Sequence, residues 1–286
     1  MLNSHKDIFS QRQTMVRSDF ECYHYYDPIP PVVDFHEHEF YEVFFFLSGN
    51  VSYNIEGRTY LLHPGDILLT DNKDIHRPEI RPGKPYERYV LWIEPAFLNQ
   101  VEKLGSRLTD CFTNASAKQY KLIRPNGELM VRLKNIMEKI LTNRDGTELG
   151  SNTLEYIYLI EFMVYLNRAY FATSDIIRQD ITENEKINHV IAYINEHLNE
   201  DLTIDRLAEN CFISKSYLSH QFKIYTGLTL FQYIIKKRVT VARNMLREGA
   251  TATEACMHCG FNDYSNFHKA FKKEFGQSPK EFRPRI

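Results

Sequence analysis

Apolar positions change their rhythm along the chain. Up to about Glu94 they fall in short aromatic and β-branched runs, such as Glu42-Val43-Phe44-Phe45-Phe46-Leu47 and Val51-Ser52-Tyr53-Asn54-Ile55. The breaks between runs, Ser48-Gly49-Asn50, Glu56-Gly57-Arg58 and His63-Pro64-Gly65-Asp66, are turn chemistry. Strands spaced this evenly predict an all-β sandwich or barrel over about 20–94. From Asn126 to Phe171 the spacing becomes helical: Leu129, Leu133, Ile136 and Ile140 recur on one face, as do Leu154, Ile157, Tyr158, Phe162 and Tyr165. Asn143-Arg144-Asp145-Gly146 reads as the connection of a helical hairpin over about 126–171. So much apolar surface on two helices calls for a partner, either the barrel or a second copy of the chain. The polar stretch 173–184 reads as a linker.

The last hundred residues predict helices throughout. Ile187, Val190, Ile191, Ile194 and Leu198 form one apolar stripe. Thr203 and Ser214 stand where helices should be capped, and Thr251-x-x-Glu254 has the form of a capping box. Gly227, Gly260 and Gly276 fall where helices should stop.

This region also repeats itself at an offset of 49 residues. Leu218-x-x-x-Phe222-Lys223-x-x-x-Gly227-x-Thr229-x-x-x-Tyr233 returns as Phe267-x-x-x-Phe271-Lys272-x-x-x-Gly276-x-Ser278-x-x-x-Phe282. A short helix precedes each copy, carrying Leu207-Ala208-x-x-Cys211 in one and Ala255-Cys256-x-x-Cys259 in the other. Short helix, tight turn and second helix make a helix-turn-helix, whose second helix enters the major groove of DNA. A long helix over about Thr229 to Arg247 joins the two. With Leu218 and Phe222 turned inward, Ser216, Ser219, His220 and Lys223 face outward, and the offset puts Ser265, His268, Lys269 and Lys272 in matching places. A plain helical bundle with duplicated packing would not require the repeated Phe-Lys-x-x-x-Gly.

Residues 185–286 resemble the AraC/XylS-type DNA-binding domain. The likeness is carried above all by Cys259-Gly260-Phe261-Asn262-Asp263-Tyr264-Ser265-Asn266-Phe267-His268-Lys269-Ala270-Phe271-Lys272-Lys273-Glu274-Phe275-Gly276-Gln277-Ser278-Pro279-Lys280-Glu281-Phe282-Arg283. Cys256 stands where the family usually carries Ala, a small-for-small exchange. The resemblance implies base contacts from Ser216, Ser219 and His220 in the first recognition helix, and from Ser265, His268 and Lys269 in the second. Lys donates to guanine O6 and N7, and Ser and His reach base edges. Lys223, Lys272 and Lys273 are assigned to phosphates, which fix register without reading sequence. Cys256 and Cys259 form a CxxC beside His258, but they align with Ala208 and Cys211, so both are expected to face the core.

Charge fits this reading. From Glu185 onward there are 15 Lys and Arg against 11 Asp and Glu, a net of +4, within a chain whose overall charge is −2. The front is therefore acidic and the C-terminal third basic, which fits binding of double-stranded DNA at one end. Five scattered cysteines suit reduced thiols better than a disulfide framework. No apolar run approaches the ~20 residues that span a bilayer, and the polar N-terminus lacks a signal-peptide core. The expectation is a cytoplasmic protein with no membrane partner.

In the front domain, His36-x-His38-x-x-x-Glu42, with Gly49 after six intervening residues, resembles the first cupin motif. Pro64-Gly65-Asp66 followed by His76 resembles the second. The resemblance implies a sensor barrel, and in metal-binding cupins the matching residues would be His36, His38, Glu42 and His76, a set suited to Fe, Mn, Ni or Zn. His36, His38 and Glu42 share a parity on an extended chain. Sensor barrels of AraC-type regulators keep this pattern without a catalytic metal, so the reading takes these residues as pocket-lining. It expects no resident cofactor and no catalytic residue. Phe44, Phe46, Arg88 and Trp92 join the pocket by strand parity, whereas Phe45 and Leu47 should pack outside against the helix pair. Aromatic faces with His, Glu and Arg suit a sugar or similar polar metabolite.

The fold expected is thus α+β in two domains: a cupin-like β-barrel with a helical hairpin (1–172), and an all-α domain of two helix-turn-helix units joined by a long helix (185–286). The function expected is a ligand-responsive, sequence-specific transcription regulator. It acts as a homodimer whose DNA-binding domains are spaced by the barrel and hairpin, and it contacts RNA polymerase if it activates. The alternative is a metal-dependent cupin enzyme or metal sensor fused to a DNA-binding domain.

Overall fold

The computed structural model describes residues 6–10, 12–118, 120–172 and 179–282. Residues 173–178 of the expected linker, and Arg283 of the family signature, lie outside these. Contacts divide the chain into two units, Met1–Ile55 with Tyr60–Ile181, and Glu56–Thr59 with Thr182–Ile286.

The first unit contains β1 (Phe20–Asp27), β2 (Tyr41–Ser48), β3 (Val51–Ile55), the Tyr60–Leu61 end of β4 (Arg58–Leu61), β5 (Ile67–Thr70), β6 (His76–Ile80) and β7 (Tyr86–Ile93). Then come α1 (Pro95–Val101), a 3-10 turn (Glu102–Leu104), α2 (Asp110–Ala117), β8 (Leu122–Ile123), α3 (Gly127–Arg144) and α4 (Ser151–Ala172). One sheet runs in the order β1-β7-β2-β5-β8, with antiparallel pairing throughout. In a second sheet β6, β3 and β4 lie side by side.

The first sheet is covered on both faces, which is why its strands read as nearly unbroken apolar runs. Alternation along each strand sorts the side chains. Val43 and Phe45 of β2, Ile67 and Leu69 of β5, and Tyr89, Leu91 and Ile93 of β7 join a core with Leu133, Ile136, Met137 and Ile140 of α3 and Leu159, Phe162, Met163 and Leu166 of α4. Phe44 and Phe46, Leu68, and Val90 and Trp92 point the other way, into a core shared with Val51, Tyr53, Ile55 and Tyr60 of the second sheet. Leu47 also packs against the helix-side core. A one-residue slip of β2 would exchange the two sets, and each large apolar group is held by ~1.5–3 kcal/mol of burial. A register shift does occur in the β2–β7 pairing, between Phe46 and Ser48, at the end of the sorted run.

The hairpin differs from its sequence reading on one face. Leu154 and Ile157 are exposed, and α4 buries Leu159, Phe162, Met163, Leu166, Ala169 and Tyr170 instead. Helix α4 is apolar on nearly every side, so period alone singles out no stripe. The segment between barrel and hairpin also holds two short helices and β8, which the sequence pattern did not signal.

The second unit is built from α5 (Glu185–Glu196), α6 (Ile204–Asn210), α7 (Lys215–Thr226), α8 (Leu230–Arg247), α9 (Ala252–His258) and α10 (Tyr264–Phe275). Thr203 and Ser214 accept backbone N–H groups as N-caps of α6 and α7, and Thr229 and Thr251 close capping boxes with Gln232 and Glu254. Each such cap contributes ~1 kcal/mol. Gly227 and Gly276 end α7 and α10 in the left-handed conformation. Phe267, Phe271 and Phe282 share a core with Val239, Ala242 and Leu246 of α8 and with Cys256 and Cys259. Both cysteines of the CxxC therefore face inward.

Gly260 and Gly276 have the same φ of 73°, but a Cβ on Gly260 would stand 2.4 Å from the Leu198 carbonyl oxygen, whereas one on Gly276 meets nothing within 4 Å. Gly276→Ala should cost ~1–2 kcal/mol, the left-handed penalty alone. Gly260→Ala should lose a further ~1–3 kcal/mol, because backbone must move. Urea denaturation followed by far-ultraviolet circular dichroism measures both, and equal losses would refute the close approach.

Candidate functional site

The helix-turn-helix repeat has the same inner and outer sides in both copies. Leu218 and Phe222 of α7, and Phe267 and Phe271 of α10, are fully buried. On the opposite side Ser216, Ser219, His220 and Lys223 are exposed, as are Ser265, Lys269, Lys272 and Lys273. His268 is half-buried, its ring 6.3 Å from that of Tyr264. The N-caps are Ser214 and Asp263, each accepting a backbone N–H from three residues on. The two helices thus share one frame, while their outer faces differ: α10 places Lys269 where α7 places His220.

The first unit has a cavity of about 50 Å³, several times the ~10–15 Å³ that one water requires. Its wall includes His36, Glu42, Phe44, Arg88 and Trp92, joined by Tyr25, Tyr53, Tyr86 and Val90. Phe9, Ser10, Arg12 and Gln13 of the N-terminal arm also contribute. The arm is tied to β1: the Asp7 N–H donates to the His24 carbonyl at 2.7 Å, and the Arg12 guanidinium pairs with Glu21 at 2.7 Å. Arg88 is only 2% exposed, pairs with Asp27, and lies 4.0 Å from the Tyr86 ring centre and 4.8 Å from that of Tyr25. The guanidinium is held by an acid and by aromatic faces together.

Beside the cavity sits a cluster of histidines around one carboxylate. Among the described residues, His38, Glu42 and His76 bring one donor atom each within 4.8 Å of one another. The Trp92 indole N–H donates to Glu42 at 2.7 Å, and the Tyr53 hydroxyl at 3.4 Å. Burial pushes the Glu42 carboxyl up to about 7, against those two hydrogen bonds. Burial, with His36 and His38 alongside, holds His76 well below the usual imidazole range.

Residues 207–285 match the family described as a helix-turn-helix domain, and residues 19–157 match the AraC-like ligand binding domain. The chain belongs to the AraC family of transcription regulators. The HTH-type transcriptional activator RhaS of Salmonella arizonae is 25% identical over 253 residues, covering 87% of this chain and 86% of RhaS. RhaS of Salmonella heidelberg is 25% identical over 252 residues, with the same coverage. Among solved structures, the C-terminal domain of AraT, a response regulator from Geobacillus stearothermophilus, is 27% identical. It covers 36% of this chain and 89% of its own, with a TM-score of 0.35. ToxT from Vibrio cholerae covers 92% of this chain and 97% of its own, at 13% identity and a TM-score of 0.36. No helix is long and apolar enough to cross a membrane among the described residues.

This AraC-family chain thus has a DNA-binding domain and a ligand-binding domain, and three expectations about the latter need correction. Phe46 shares the face of Phe44 but is fully buried where β2 shifts register, and it does not line the cavity. His38 and His76 are not on the wall. His36 is not one of the clustered donors: it lies before β2 in an isolated bridge to His76, so the parity of an extended strand does not link it to Glu42. Tyr86 and Val90 were legible, since they share parity with Arg88 and Trp92. Tyr25 lies across from Arg88 in the β1–β7 register.

Proposed function

We propose that the chain is a ligand-responsive, sequence-specific regulator that reads DNA with α7 and α10. It responds to a sugar or similar polar metabolite bound in the cavity of the first unit. The observation that carries the DNA half is the duplicated frame: two equivalent helices, each anchored by a buried pair at i and i+4, each with its polar face left outward. Helix α8, with 18 residues, is ~27 Å long, which suits helices reaching successive major grooves ~34 Å apart. Ser216, Ser219 and His220 would contact bases from α7, and Ser265, His268 and Lys269 from α10. Lys223, Lys272 and Lys273 would hold phosphates.

His268→Ala with Lys269→Ala should weaken binding to a selected operator far more than to random DNA. Lys272→Ala should weaken both alike and lower the salt slope by ~1. Fluorescence anisotropy over a salt series measures these, and equal losses on both DNAs for the double variant would mean that His268 and Lys269 touch phosphate only.

The metabolite half rests on the composition of the cavity wall, aromatic rings beside Glu42 and the His36 edge. The distant likeness to RhaS agrees with activation as the outcome. A thermal-shift screen of neutral sugars should give stabilisation growing with concentration, ~2.7 kcal/mol at a hundred times Kd. No response to any of them would remove the sugar.

The proposal includes a homodimer, because Val131, Leu154 and Ile157 are exposed apolar residues on the hairpin that a second copy would cover. Sedimentation equilibrium should show a dimer at micromolar concentration, and Leu154→Glu with Ile157→Glu should give a monomer. A wild-type monomer, with and without DNA, would overturn this part.

A further inference from the structure

We propose that Phe212, in the turn of the first helix-turn-helix unit, is an apolar DNA contact that packs on the C5-methyl group of a thymine in the half-site read by α7. The inference rests on the DNA-reading role proposed for α7, and it adds a residue from outside that helix.

Comparison of the two units carries it. Phe212 follows Cys211 as Gly260 follows Cys259. Both backbones are left-handed, with φ of 54° at Phe212 and 73° at Gly260. The hydrogen bonds correspond as well. The Phe212 N–H donates to the Glu209 carbonyl at 3.1 Å, and the Ile213 N–H to that of Ala208 at 2.9 Å. In the second unit the Gly260 N–H donates to Met257 at 3.5 Å, and the Phe261 N–H to Cys256 at 3.4 Å. One turn geometry serves both units, and it suits Gly or Asn.

A phenylalanine in this turn is unfavourable twice over. Its Cβ crowds the backbone in the left-handed region, where bulky residues are rare. Its side chain is 94% exposed, so no burial offsets that strain. Among the described residues other than glycine, Phe212 and Glu56 alone have a positive φ. Exposure by itself would mean little, since Phe231 is also exposed, but Phe231 lies on the regular backbone of α8. The fold gains nothing from the Phe212 ring, and an unfavourable backbone of this kind points to a use outside the fold.

Position in the unit supplies the partner. Two residues after Phe212, Ser214 caps α7, and Ser214, Lys215 and Ser216 are all exposed. The N-terminal residues of a recognition helix are the ones that meet base edges in the major groove. Phe212 is therefore continuous with the surface assigned to DNA. The apolar group that the groove offers is the thymine methyl, and Phe is among the side chains that contact it. Ser216, Ser219 and His220 offer hydrogen bonds to bases, and none of them selects a methyl. Docking on DNA would give the ring the burial that it lacks in the free protein.

The test uses the full chain, an operator selected from random DNA, and fluorescence anisotropy. Phe212→Gly and Phe212→Asn both suit the left-handed turn, so their urea midpoints should be no lower than that of the wild type. Their affinity for the operator should fall about tenfold. Thymidines of the operator are then replaced one at a time by deoxyuridine, which removes only the methyl. At one position the replacement should weaken the wild type about fourfold and leave both variants unaffected. Elsewhere it should affect all three proteins alike. Unchanged affinity in the variants overturns the inference and would leave the ring to a protein partner. So does a loss that no deoxyuridine position relieves, which would put the ring on the sugar-phosphate backbone. Urea midpoints well below that of the wild type overturn it too, since the fold would then be using the ring. A wild type that selects no operator overturns the DNA-reading role of α7 and this inference with it, whereas the other failures leave that role standing.

Discussion

The structure of the first unit depends on one constraint: its five-stranded sheet is buried on both faces. Every second residue of β2, β5 and β7 must satisfy helices, and every other one must satisfy the space between the sheets. Val43 and Phe45 meet the hairpin while Phe44 meets the cavity. Glu42 falls on the cavity side by the same alternation, and that is what brings a carboxylate into an apolar interior. Its perturbed ionisation follows from burial there, eased by the Trp92 and Tyr53 donors. The helix-side core and the chemistry of the cavity are therefore not independent, because one backbone register fixes both.

The second unit obeys a different rule. Its helices are short, and each takes its position from a cap at one end and a pair of large side chains on one side. Ser214 and Asp263 are different residues doing the same work, as are Leu218 and Phe267. The frame tolerates this because a cap needs only an oxygen and an anchor needs only volume. What the frame leaves free is the outward face, and there the two copies have diverged. A fixed support under a variable surface suits readout of sequence.

Much of this was legible in the residues themselves. The 49-residue repeat, the caps at Thr203, Ser214 and Thr251, and the opposed parities of Phe44 and Phe45 all follow from local chemistry or from period, and local signals survive in a sequence. The failures share a physical cause as well. Helices α1 and α2 span two turns or so, too short for a periodic signal. Helix α4 is apolar all round, so Leu154 and Ile157 looked no different from the buried Leu159 and Met163. The meeting of His38 with His76 joins two sheets, and no pattern along one strand reports its distance to another. His36 was grouped with Glu42 because an extended chain would have put them together, but the backbone there is not a strand.

The duplication in the second unit bears on the kind of target such a protein selects. Helices α7 and α10 follow one another in the same chain and present unlike side chains, with His220 in one where the other has Lys269. If both helices read DNA as proposed, a site chosen by one such chain has a front and a back, and reversing it end for end would bring each half under the wrong helix. Each chain would thus impose a direction on the promoter it occupies, which a palindromic half-site arrangement could not do by itself.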